Sequence, residues 1–422
     1  MKTVAAATLG CKVNFTETEG VLELFRRAGY AVVEFNEIAD VYVVNTCAVT
    51  GESGKKSRQM IARAKKRNPS AVVAAIGCYS QVSPGEVNAD VVVGTKDRGQ
   101  VVSLVEEFIG NKMGVVFVKG LDGVGYEELP IEVMSGRTRA FVKIQDGCTN
   151  FCAYCIIPYA RGAVRSRVLV EIRDEIEKLV RGGCKEVVLS GIHIASYGKD
   201  FDGAVSLIDA VKAACDVEGI ERVRLGSLDP AFVTDGFVEQ LRGLDKVCPH
   251  FHLPLQSGCD SMLKRMNRRY DCAQYERAAG LLRAAFEGVS ITTDIIAGFP
   301  GETDEDFNNS YSFIEKMELS RLHVFPFSKR EGTAAARMDG QVSAVLKKER
   351  SRRLIELGKR LENHFKARFE GAELQVLVEE EIGEGRYRGL SENYIDVCVP
   401  SNIGIINEIV SVRVDKNDCF FL

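Results

Sequence analysis

The chain has 422 residues, a formal charge of −4, 45% apolar and 27% charged side chains, and thirteen cysteines. That length allows about two to four domains, and the composition is that of a soluble globular protein, with neither a membrane-length apolar run nor a signal-peptide start, so a cytoplasmic location is expected and no membrane partner. An odd cysteine count in a reducing compartment argues against a disulfide framework and for ligating thiols, while the mild acidity leaves any RNA affinity to local basic patches.

The first hundred residues alternate strand and helix patterns. Strands are expected at 4–8, 41–45, 71–76 and 89–93, and helices at 16–28, 51–67 and 98–108. Such alternation predicts a parallel sheet with helices on both faces. Cys11, Cys47 and Cys78 each follow one of these strands. The carboxyl ends of parallel strands share one edge, where ligands bind, so three cysteines distant in sequence should converge there. Gly10 and Gly77 permit tight turns beside them. Two readings stay open: a second three-cysteine iron–sulfur site, or three buried structural cysteines.

A Gly-rich link, 110–136, precedes a second alternating array. Its first strand, 140–145, delivers Cys148-x-x-x-Cys152-x-x-Cys155. A structural zinc site wants four closed ligands. A cubic iron–sulfur cluster takes one thiolate per iron, so three thiolates leave one iron open. The spacing, with Tyr154 before the last cysteine, resembles the cluster loop of radical S-adenosylmethionine (SAM) enzymes, whose open iron chelates SAM. Further strands at 186–190, 222–226, 250–255, 290–296 and 321–326 alternate with helical patterns and predict a partial or full (β/α) barrel with its chemistry at the carboxyl face. Small or polar residues recur at those strand ends: Ser190 and Gly191, Ser227 and Asp229, Gln256, Asp294 and, just beyond, Phe299. They are the candidate SAM contacts, each set against the plainer alternative of a capping or turn residue. His193 and His252 are not assigned a catalytic role, and His250 and His323 are expected to be structural. No general base is assigned.

Residues 343–369 read as a long basic helix. From residue 372 onward, short alternating strands at 374–378, 394–399 and 409–414 predict a small all-β barrel. Basic clusters at 55–67, 161–167 and 264–269 are either phosphate-binding patches or solvated helix faces. The C-terminal barrel carries ten acidic and four basic side chains, which opposes RNA except on a confined face; there Tyr387 and Tyr394 are candidates for stacking on bases. Cys184, Cys215, Cys248, Cys259, Cys272, Cys398 and Cys419 lack ligand spacing and are taken as structural.

Together these features resemble the methylthiotransferase family over almost the whole chain: an N-terminal three-cysteine domain at 1–112, a radical SAM barrel at 134–368 and a TRAM-like β barrel at 371–422. The stretches Thr8-Leu9-Gly10-Cys11-Lys12-Val13-Asn14, Asn45-Thr46-Cys47-Ala48-Val49-Thr50 and Ile156-Ile157-Pro158-Tyr159-Ala160-Arg161-Gly162 are similar to the branch that acts on threonylcarbamoyladenosine in tRNA. Relatives acting on isopentenyladenosine or on a ribosomal protein usually differ after the first cysteine. The resemblance implies two 4Fe-4S clusters, on Cys148, Cys152 and Cys155 and on Cys11, Cys47 and Cys78. At the first, SAM is cleaved to a radical that abstracts hydrogen from carbon 2 of the modified adenine at position 37; the second carries the sulfur to be methylated and inserted. The implied partners are the tRNA anticodon stem-loop, an electron donor such as flavodoxin or ferredoxin, and a sulfur donor. The alternatives are a ribosomal-protein methylthiotransferase and a non-catalytic, metal-stabilised RNA-binding protein.

Overall fold

The computed structural model describes residues 1–131 and 138–414; the end of the expected link, the boundary at 134 and Cys419 lie outside the described residues. Six strands, β1 (Thr3–Thr8), β2 (Ala31–Val33), β3 (Val41–Thr46), β4 (Val72–Gly77), β5 (Val91–Val93) and β6 (Val115–Phe117), form one parallel sheet in the order β2-β1-β3-β4-β5-β6. Every residue of β3 and β4 is buried, as expected of strands covered by helices on both faces. Two hydrophobic clusters accordingly lie on the two sides of the sheet, one around Val43, Ile76 and Phe25, the other around Tyr42, Val44 and Ile61. Strands β2 and β6 escape a sequence reading because three residues at a half-exposed sheet edge carry almost no periodic signal. The strand order reverses between β1 and β3, which opens a crevice at their carboxyl ends.

The second array holds six parallel strands: β7 (Arg139–Asp146), then, after a two-residue antiparallel β8 (Arg165–Ser166), β9 (Glu186–Gly191), β10 (Arg222–Leu225), β11 (His250–His252), β12 (Ser290–Ala297) and β13 (Arg321–Pro326). They pair as β10-β9-β7-β8 and β11-β12-β13, joined by single bridges such as Ser227 to His252. The result is a partial barrel around the largest hydrophobic cluster of the molecule. Helix Lys12–Arg27 of the first array packs across β7: the Thr16 hydroxyl donates to the Phe141 carbonyl at 3.3 Å, and Phe15 meets Phe141 edge to face at 5.8 Å.

The long helix Ala344–Ala367 leads to four antiparallel strands, β14 (Glu373–Gly383), β15 (Arg386–Ser391), β16 (Asp396–Pro400) and β17 (Ile409–Arg413), ordered β16-β15-β14-β17. This half-barrel sheet docks on the amino ends of the barrel strands. Arg222 and Arg224 donate to the carbonyls of Gln375 and Glu392, each at 2.8 Å, and Arg139 pairs with Glu379 at 2.6 Å. Tyr387 is buried in the sheet's own core, and Tyr394 lies parallel to His250 at 4.3 Å. Neither tyrosine stands free to stack on a base.

Candidate active site between the sheet edge and the barrel mouth

The N-terminal trio forms at the crevice. Cys11 caps the amino end of helix Lys12–Arg27, Cys47 follows β3, and Cys78 opens the short helix Cys78–Val82. Gly10 and Gly77 take φ of +108° and +96°; a Cβ on Gly77 would stand 2.3 Å from Asn45 Oδ1, so only glycine makes that turn. Cys47 packs so closely on Gly10 that a Cβ there would meet its Sγ at 3.1 Å. Asn14 sits between the other two thiols, with Oδ1 4.0 Å from both Cys11 Sγ and Cys78 Sγ. Its amide is fixed by donating to the carbonyls of Leu9 and Thr46 at 2.8 and 3.1 Å. Burial pushes the Cys78 thiol up to about 12, against the pull of Arg161, whose Nε donates to Cys78 Sγ at 3.2 Å.

Arg161 comes from the barrel, just past the second trio. Fully buried, it donates to Glu17 at 2.7 and 2.9 Å, to Asp146 Oδ1 at 2.9 Å and to Asn14 Oδ1 at 2.7 Å. Lys143 bridges Glu17 and Asp146 at 2.8 and 2.7 Å, and Arg98 also pairs with Glu17. Burial alone would raise the pKa of both carboxyls, but the surrounding cations hold Glu17 and Asp146 well below the usual carboxylate range. The 161–167 cluster is therefore neither a phosphate patch nor a solvated face: Arg161, Arg165 and Arg167 are buried and ion-paired. On helix Gly51–Arg67, by contrast, Lys55, Lys56, Arg63 and Lys66 are exposed.

The second trio follows β7. Gly147 (φ +74°) turns the chain, and the Cys148 amide donates to the Gly162 carbonyl at 3.0 Å. Ala153 is tied to the Met266 carbonyl at 2.9 Å. Arg268 donates to Cys152 Sγ at 3.3 Å and lies 3.7 Å from Asp229, which is 3.3 Å from His193 Nε2. Burial pushes Cys155 up to about 12, and its neighbours Cys152 and Cys148 push the same way. All six thiols are free. The positive charge of a bound iron centre would hold all six as thiolates. Among the described residues no His, Cys, Asp or Glu trio is tight enough for a single ion. A cube gives each thiolate its own iron, so its ligands need not converge on one point. The all-sulfur donor sets fit iron–sulfur cubes in that respect.

One cavity of about 580 Å³ reaches from Cys11 into the barrel interior; Cys47, Cys78, Cys148, Cys152 and Cys155 do not line it. Gly10, Cys11 and Lys12 line it at one end, Ser190, Gly191, Ser227 and Asp294 along the strands, and Tyr394 at the base. Of the seven candidate SAM contacts, these four face the cavity. Asp229 and Gln256 do not line it; Asp229 instead serves the His193 and Arg268 contacts beside Cys152. Phe299 is fully buried, edge-on to Tyr154 at 6.5 Å, as part of a packed cluster with Met262, Met266 and Phe327. His250 and His323, expected to be structural, line the cavity together with His252, which is 3.4 Å from Asp294. Sequence reading missed Asn14, Glu17, Arg161 and Arg268, although Asn14 and Arg161 lie within the motifs it singled out.

The Radical SAM superfamily matches residues 142–314, and Uncharacterized protein family UPF0004 matches residues 3–94. The chain is 42% identical to threonylcarbamoyladenosine tRNA methylthiotransferase MtaB of Bacillus subtilis, over 99% of this chain and 94% of that one. It is 34% identical to the tRNA-2-methylthio-N(6)-dimethylallyladenosine synthase of Acetivibrio thermocellus, over 97% and 87%. Among solved structures, the radical SAM methyltransferase TsrM of Kitasatospora setae superposes with a TM-score of 0.56 at 13% identity, over 77% of this chain and 72% of that one, a likeness of fold alone. Among the described residues no helix is long and apolar enough to cross a membrane.

Proposed function

This chain belongs to the tRNA methylthiotransferase family of radical SAM enzymes, which use SAM and 4Fe-4S clusters, and we propose that within it the enzyme adds a methylthio group to carbon 2 of N6-threonylcarbamoyladenosine at position 37, beside the tRNA anticodon. The observation that supports this reading is a cavity lined both by Cys11 and by Ser190, Gly191, Ser227 and Asp294 at the barrel strand ends. The higher identity to the threonylcarbamoyladenosine enzyme than to the dimethylallyladenosine synthase supports the choice of base. The relatives' names favour tRNA over a ribosomal protein and an enzyme over a non-catalytic binder.

In this reading residues 1–112 hold one cluster on Cys11, Cys47 and Cys78, residues 134–368 hold the other on Cys148, Cys152 and Cys155, and residues 371–422 close the barrel base. Bound there, the clusters and SAM supply one-electron chemistry, sulfur and the methyl group. The chain's own residues position and enclose. Ser190, Gly191, Ser227 and Asp294 offer backbone and side-chain polar groups to SAM. Arg161 and Arg268 donate to one sulfur of each trio. The target adenine reaches the chamber only when unstacked from the anticodon loop, and exposed Lys55, Lys56, Arg63 and Lys66 offer charge to the tRNA backbone. A cytoplasmic location, an electron donor of the flavodoxin or ferredoxin type and a separate sulfur donor complete the reading.

Mass spectrometry of tRNA nucleosides from a strain lacking this gene tests it. The methylthiolated threonylcarbamoyladenosine is expected to vanish and to return with the intact gene. Its persistence in the absence of a redundant enzyme would overturn the assignment.

A further inference from the structure

Lys12 stands out among the cavity residues. It follows Cys11 directly and lines the chamber, with its ammonium 5.8 Å from the centre of the Phe141 ring. Among the described residues no carboxylate or other acceptor is hydrogen-bonded or ion-paired to it. The anions nearest the barrel base are already engaged: Glu186 with Arg224 at 2.9 Å and Glu379 with Arg139 at 2.6 Å. Asp294 faces His252, and Arg321 is matched by Glu362 at 2.7 Å. Among the described residues that line the chamber, Lys12 is thus a cation without an ion pair of its own. Lys12 is exposed to the water of the chamber, so its charge is tolerated until a substrate displaces that water; a ligand that brings the opposite charge then keeps it paired.

We propose that Lys12 is a specificity-determining residue whose ammonium receives the carboxylate carried by the threonyl group on N6 of the substrate adenosine. This deepens the proposed function and rests on it. The neutral isopentenyl side chain has no anion to offer, so entry of that base would desolvate the ammonium with no compensation; discrimination comes from a group left unpaired by the wrong substrate. The cavity volume of about 580 Å³ is in the range of sites that enclose a molecule of this size. Phe141 lies beneath the ammonium and Tyr394 lines the same chamber.

The test uses the two-cluster enzyme and two anticodon stem-loops, one with threonylcarbamoyladenosine and one with its carboxylate replaced by a primary amide. The wild type is expected to favour the acid over the amide in kcat/KM by about 10- to 100-fold, the range of a charge-assisted hydrogen bond. Lys12→Met should collapse that ratio toward one, chiefly through KM for the acid, and Lys12→Arg should retain most of it. Iron content reports whether each variant is loaded, with Lys12→Gln as a second neutral variant. An unchanged ratio in both neutral variants overturns the proposal. So does an equal loss on both stem-loops with a raised KM for SAM, which would assign Lys12 to the carboxylate of SAM. A wild type inactive on the acid stem-loop refutes the proposed function itself, and this inference with it.

Discussion

Replacing Glu17 by glutamine keeps its shape and removes its charge. The carboxylate is 1% exposed and receives Arg161 at 2.7 and 2.9 Å, Lys143 at 2.8 Å, and Arg98. Without it Asp146 is the remaining anion in contact with Arg161 and Lys143, and Arg98 keeps Glu127 at 2.8 Å. Breaking a buried pair by removing one partner costs about 3–5 kcal/mol, because the orphaned charges stay desolvated. For a cooperative unit of about 150–250 residues, each kcal/mol corresponds to about 2–4 °C in Tm, so Glu17→Gln should melt about 6–20 °C below the wild type at pH 7.

Acidification gives the second readout. The folded pKa of Glu17 lies below its unfolded value of about 4.3. Its stabilising contribution is therefore complete above that value and is lost as pH falls toward the folded pKa. The gap in Tm between wild type and Glu17→Gln should be constant from pH 7 to about 5 and narrow below about 4.3. Calorimetry across that range, on proteins carrying equal amounts of iron, decides it. A variant melting within 2 °C of the wild type at pH 7, or a gap that widens on acidification, would refute the reasoning.

Cys11→Ala and Cys148→Ala should each lose roughly half of the iron and sulfide in anaerobic analysis and leave the other cluster's spectrum in place; loss of both clusters from either change would contradict two independent sites. Gly147→Ala should abolish loading of the barrel cluster, since its Cβ would stand 1.8 Å from the Ala163 carbonyl oxygen at a φ of +74°; normal iron content in that variant would show that the loop has slack. Phe299→Ala should lower stability by about 3–5 kcal/mol as a core cavity, read as a fall in Tm without SAM, whereas a residue acting only on SAM would leave that melt unchanged.

Much of this was legible because strand ends announce themselves. The buried runs of β3 and β4 and the βα alternation gave the sheet, and Cys11, Cys47 and Cys78 fell at its carboxyl edge by topology alone. The barrel followed from six strand patterns in order. What periodicity could not carry was long-range pairing of charge. Arg161, Arg165 and Arg167 look like a basic patch because three cations within seven residues normally seek water; the Glu17 partner of Arg161 lies 144 positions away, and Arg165 and Arg167 turn inward to Asp146 and Glu175. For a similar reason a strand pattern places His250 and His323 on alternating positions but does not show that the inner face opens on a cavity. Phe299 sits in a motif rich in turn residues, and its burial depends on Met262, Met266 and Phe327 from elsewhere in the chain.

The same ionic cluster bears on how two cofactor sites are held in register. Asp146 ends β7, immediately before the loop that presents Cys148, and Glu17 and Asn14 lie on the helix that Cys11 caps. Arg161 bonds to all three and to the sulfur of Cys78. A shift of either unit would therefore break several charge-assisted hydrogen bonds in a water-free space, each far costlier to lose than a surface contact. Sulfur transfer requires reacting atoms to approach within about 3–3.5 Å, a tolerance that hydrophobic contact between two units does not enforce, because it lacks direction. Directional ion pairs do enforce it. That is a physical reason for burying so many charges at this junction when a packed apolar interface would be at least as stable.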